Sequence, residues 1–198
     1  MATVALGRRS SHERQSSGKR VRLSGRDLLW LEKLHQHGPL PTSYLLAYTE
    51  ALRANAKRQK ERLGDLFYEE NTEHGGAYLD RPLQKFATLK AGYNQLVHQV
   101  APAGLKALKE AGLAHEIGGH HGPWVHRHMV ACTTASIELA TLKRPGISFI
   151  PQHQILERAE ATLSWLVRVK YATYGQLVRK DLKPDALFGL IYNTEEAD

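Results

Sequence analysis

The sequence predicts an α+β chain, in which a helical unit closed by a short hairpin precedes a partial α/β segment. Three observations carry this. Apolar residues recur at helical spacing through Leu28, Leu31 and Leu34, and Gly38-Pro39 then ends the run. A basic stretch follows from Arg53 to Arg62, with five Lys/Arg against one acid and no Gly or Pro. After Gly75-Gly76, two strand-like runs, Ala77–Leu79 and Tyr93–Val100, flank a loop holding Arg81, Pro82, Lys85 and Lys90. Three helices followed by two strands around a basic loop describe a winged helix-turn-helix.

Each element has its own local reason. Ser24 is placed to cap the first helix, with Asp27 at the third position in the spacing of a capping box. Leu29 and Trp30 widen that helix's apolar stripe. Thr42 or Ser43 starts a short second helix through Tyr44, Leu45, Leu46 and Tyr48. The third is expected from about Glu50 to Phe67, with Leu52, Ala56, Leu63, Leu66 and Phe67 inside. Arg53, Lys57 and Lys60 would share one outer face, with Arg58 and Arg62 in a second row. Pro102 suits the first turn of a helix running to about Gly112. One domain thus covers residues 23–113, and a Gly/His linker covers 114–125. Residues 126–198 hold a helix to Leu142, a strand Ile147–Ile150, a helix from Gln152 to Leu166 and a strand Leu187–Tyr192. So small a remnant closes a sheet poorly and resembles the front half of an α/β domain, with an open edge that suits a homodimer.

The chain of 198 residues carries a formal charge of +7, which favours a polyanionic partner. Residues 1–26 hold seven Arg/Lys against Glu13 alone and few apolar residues after Leu6. Residues 1–22 therefore read as a disordered basic arm, either a strand along phosphates or a solubilising tail. No run of about 18 apolar residues exists to span a membrane, and no apolar core of a signal peptide opens the chain. The single cysteine, Cys132, rules out an intrachain disulfide and suits a cytoplasmic protein.

The expected partner is double-stranded DNA. Asn55, Arg58 and Gln59 are the candidates for base edges. Arg53, Lys57, Lys60 and Arg62 are candidates for phosphates, and Arg81, Lys85 and Lys90 add backbone contacts from the wing. No cofactor, metal site, catalytic residue or small-molecule substrate is expected. His115, His120, His121, His126 and His128 cluster, but without the i, i+4 spacing that puts two ligands on one helix face. Asp185 and Glu138 are the only evident acids for metal-assisted hydrolysis, which needs several. Two alternatives stay open: a protein-docking winged helix and a remnant metal-dependent nuclease.

Several short runs, in order, resemble the replication-relaxation proteins encoded by plasmids and phages. They are Arg22-Leu23-Ser24-Gly25-Arg26-Asp27, Pro39-Leu40-Pro41-Thr42, Ala101-Pro102-Ala103-Gly104, His126-Arg127-His128 and Pro184-Asp185-Ala186-Leu187. The resemblance spans residues 22–190 and implies an N-terminal winged helix that binds DNA in plasmid replication control or relaxation; transcription regulation by occupancy of DNA is the other role expected. It also implies a C-terminal restriction-endonuclease-like part with Asp185 at the position of an acidic metal ligand. The third strand that would complete such a site has no counterpart before Asp198, so the family's C-terminal part looks truncated here.

Overall fold

In the computed structural model, residues 13–52, 55–82, 95–115, 123–158, 167–173, 176–182 and 185–193 are described, with the backbone path alone over 167–182. The architecture is mixed α/β, with six α-helices and three small sheets among these residues. Helix α1 (Gly25–His37) starts where Ser24 and Asp27 cap each other, as their spacing predicts. It ends at Gly38, whose φ of 105° lies in the region that glycine alone enters readily. Strand β1 (Leu40–Pro41), helix α2 (Thr42–Tyr48), a single 3-10 turn (Glu50–Leu52) and helix α3 (Ala56–Tyr68) follow. Strands β2 (Leu79–Asp80) and β3 (Val97–Val100) form an antiparallel sheet with β1, in the order β1-β3-β2. Leu40 stands opposite His98, and Leu79 opposite Val100.

Trp30, Leu31, Leu45, Leu63, Leu66, Phe67, Tyr78 and Leu79 fill the centre, each about 1% exposed or less. Each such side chain contributes roughly 1.5–3 kcal/mol by leaving water. The Trp30 indole N–H donates to the Leu45 carbonyl at 2.8 Å, so the largest core residue leaves no buried donor unpaired. Helix α4 (Pro102–Glu110) packs so tightly that Gly104 faces the Tyr78 carbonyl directly.

Helix α5 (Trp124–Leu142) lies against α1 and α2 and gives Ala131 and Ala135 to the same core. A boundary near residue 113 therefore does not divide the apolar interior. Strand β4 (Ile147–Pro151), helix α6 (Gln152–Arg158) and strand β7 (Phe188–Tyr192) follow, β4 and β7 pairing antiparallel. The hairpin of β5 (Val167–Thr173) and β6 (Gln176–Leu182) was not expected from the sequence. Val167, Val169 and Tyr171 alternate with Arg168 and Lys170, so the period of a strand is present in the sequence there.

The third helix departs from expectation in a consequential way. It does not run unbroken from Glu50. Asn55 sits in extended backbone (φ −61°, ψ 122°), and its side chain accepts from the Lys57 and Arg58 amides, so the helix starts afresh at Ala56. Leu52 and Ala56, expected inside, are exposed. The basic arm is likewise not loose throughout: residues 13–24 are docked along α3. Arg14 donates to the Leu79 carbonyl and to Asp80. Ser16 and Ser17 donate to the fully buried Glu69, Lys19 pairs with Asp65, and Val21 enters the core. A buried carboxylate needs donors, and the serines of this arm supply them.

Candidate nucleic-acid interface

Helical periodicity divides the basic run of α3 into two sets. Gln59, Leu63, Leu66 and Phe67 face inward and are buried, while Lys57, Arg58 and Lys60 are exposed. Gln59, expected to read bases, instead accepts from the Thr49 hydroxyl through Oε1 at 2.9 Å inside the molecule. Asn55 is exposed, but its carbonyl oxygen is engaged as the helix cap.

Arg62 is also built into the body. Its Nε lies 3.2 Å from both oxygens of Asp27, and one terminal nitrogen donates to Asp27 Oδ2 at 2.7 Å and to the Arg22 carbonyl. Burial alone would raise the Asp27 pKa. The Arg62 guanidinium and two Ser24 donors outweigh it and hold the carboxyl below its ordinary range. Arg81 is only 5% exposed, with its guanidinium carbon over the Phe67 ring at 4.1 Å and its Nη1 directed at the Tyr68 hydroxyl. Burial pushes its pKa down, and the position belongs to the packed base of the sheet, not to an extended basic loop. Arg53, Lys85 and Lys90 lie outside the described residues. Three of the ten candidates, Lys57, Arg58 and Lys60, thus stand together as exposed cations on α3.

The acids and histidines resolve differently from a metal centre. Glu138, 8% exposed, is enclosed by α1 and α2. Lys33 Nζ reaches one of its oxygens at 2.6 Å, while His37 Nε2 (2.6 Å) and the Tyr48 hydroxyl (2.8 Å) reach the other. His37 Nδ1 in turn meets the Thr134 hydroxyl at 2.8 Å, and Phe149 of β4 tilts over the ring. Burial acts to raise the Glu138 pKa, but His37 and Lys33 overcome it and hold it at about 2. Burial and the Glu138 charge push Tyr48 upward.

Asp185, exposed before β7, pairs with His126 at 2.9 Å. His128 meets the Pro39 carbonyl and stacks on Trp124. His115 stacks on His153 with ring centroids 3.8 Å apart. Among the described residues no group of three or more His, Cys, Asp or Glu is arranged to hold a metal. None of their helices is long and apolar enough to cross a membrane. Sequence reading missed the Glu138 network, because its members lie about a hundred residues apart and each looks like an ordinary polar position. Comparison with protein-family models, with curated proteins and with solved structures finds no match to this chain.

Proposed function

We propose that this protein is a winged helix-turn-helix that binds double-stranded DNA through the outer face of α3. The supporting observation is the element order α1-β1-α2-α3-β2-β3, with sheet order β1-β3-β2, combined with Lys57, Arg58 and Lys60 exposed on the third helix. In such modules the third helix enters the major groove and the preceding one crosses the phosphate backbone. Arg58 is the candidate for a base edge, and Lys57 and Lys60 for phosphates. The process served is replication control or transcription regulation by occupancy of DNA, in keeping with the resemblance to replication-relaxation proteins.

The test is fluorescence anisotropy with a labelled random-sequence duplex across a salt titration. Each phosphate contact adds about 0.9 to the magnitude of the log–log salt slope. The Lys57→Ala/Arg58→Ala protein should lose one to two such increments while unfolding at the same temperature as wild type. Absence of binding at low salt, or an unchanged slope in the double variant, rejects the reading.

A second reading, docking to protein, is favoured by Phe188, Leu190, Ile191 and Tyr192, all exposed on β7. Light scattering across a concentration series tests it in its homodimer form. A mass that stays monomeric removes that form.

A further inference from the structure

Between α2, α3 and the sheet lies a cleft of about 340 Å³, which shares Lys60 with the proposed DNA face. Its lining divides by chemistry. Leu46, Leu63 and Leu96 supply an apolar surface, and Thr42, Ser43, Gln95 and His98 supply polar groups. Lys60 and Arg81 supply two cations, with no carboxylate among the described lining residues.

The polar members are already oriented. Thr42 Oγ1 lies 3.0 Å from His98 Nε2. Gln95 Oε1 accepts from the Ser43 amide, which leaves the Gln95 amide nitrogen as a donor. Arg81 lies over Phe67 with its Nη1 directed at the Tyr68 hydroxyl, so its cationic group is positioned before any ligand arrives. The other depressions differ: one mixes Lys19, Arg20 and Arg22 with Glu70 and Glu73, and another is lined mainly by Leu, Pro, Val and Ala with Arg127.

We propose that this cleft binds a small organic anion, an aromatic or short-chain carboxylate. Its acidic head meets Lys60 and Arg81, and its apolar body lies on Leu46, Leu63 and Leu96. The volume falls in the range of small-molecule sites, and an apolar wall with a few fixed polar groups is their usual make-up. A charge-assisted hydrogen bond to each cation selects the anion over a neutral molecule of equal size. The inference shares Lys60 with the DNA reading but does not rest on it, and its test contains no DNA.

The experiment is an amide NMR titration of the full chain with benzoate, with benzyl alcohol as the neutral counterpart. Saturable shifts centred on Ser43, Leu46, Lys60, Leu63 and Leu96 are expected with benzoate at millimolar concentration, and none with benzyl alcohol. Lys60→Gln, at an exposed position that leaves the core intact, should weaken benzoate about tenfold, the loss expected for one charge-assisted contact. Lys109→Gln, an equal loss of charge on α4, should leave the affinity unchanged. The proposal is overturned by any of three results: no saturable shift at these residues, equal binding of benzyl alcohol, or equal effects of the two glutamine variants.

Discussion

Replacing Glu138 with glutamine tests how α5 is fastened to the first two helices. The carboxylate is buried against Lys33, His37 and Tyr48, and glutamine keeps the shape while removing the charge. A carboxyl held at about 2 instead of its ordinary 4.5 contributes roughly 3 kcal/mol at neutral pH. Stranding the Lys33 charge in a site of this burial is expected to cost about 3–5 kcal/mol, so two independent routes agree. The sign follows from the depressed folded pKa. The contribution is complete above pH 4.5 and is lost as pH falls from there toward 2. Urea unfolding followed by circular dichroism at pH 7, 4 and 2.5 reads this directly. Wild type should exceed Glu138→Gln by roughly 3 kcal/mol at pH 7, and the two should converge at the lowest pH. Because Asp27 titrates in both proteins, the difference curve isolates Glu138. A Lys33→Met/Glu138→Leu double variant should recover much of the loss, since neither charge is then left unpaired. A difference below about 1 kcal/mol at pH 7, or wild-type and variant curves that run parallel with pH, refutes the account of a paired buried charge.

Three further outcomes can be checked on the same protein. Gly104→Ala would place a Cβ 2.4 Å from the Tyr78 carbonyl and 3.0 Å from Val100. Backbone cannot swing aside, so a loss of about 1–3 kcal/mol is expected in a thermal melt. Arg62→Ala leaves the fully buried Asp27 without its cation and should cost roughly 3 kcal/mol in urea. Arg58→Ala, one turn away and exposed, should stay within about 0.5 kcal/mol of wild type. Ser16→Ala/Ser17→Ala removes hydroxyl donors from the buried Glu69, and limited trypsin digestion should then cut after Arg14, Lys19 and Arg20 faster than in wild type. An unchanged cleavage rate would mean that those hydroxyls do not hold the arm.

What the sequence makes legible is local. The Ser24–Asp27 capping box, the Gly38 stop, Pro102 in the first turn of α4 and the strand over residues 147–150 each depend on neighbours within a few positions. Residues whose role depends on distant partners are not legible in this way. Arg62 reads as one more cation in a basic run until Asp27, thirty-five positions away, is folded against it. Gln59 reads as a base-reading amide until Thr49 is seen beside it, and Ser16 and Ser17 read as disorder until Glu69 is buried under them. Composition describes such residues correctly as polar but cannot say which of them has been used inside the molecule. The start of α3 was missed for a related reason. Asn is tolerated within a helix and favoured at its cap, and only the backbone at Asn55 decides between them.

The division of the basic run has a consequence for how a charged helix serves both folding and recognition. A cation that neutralises a buried acid, as Arg62 does for Asp27, is committed to the fold, because withdrawing it would leave a charge in the interior. A cation buried over aromatic rings, as Arg81 is, gives up the reach needed to follow a phosphate. Of the ten candidate positions, Lys57, Arg58 and Lys60 are the described ones that combine charge, exposure and a helical base. With Gln59 turned inward and Asn55 engaged as a cap, the proposed DNA reading leaves Arg58 as the described α3 residue for base edges and the lysines for phosphates. On the proposed DNA reading, a surface so composed would derive most of its affinity from phosphate and salt-dependent attraction. On that reading, sequence preference from the described face of α3 would come from one arginine or from the shape of the groove.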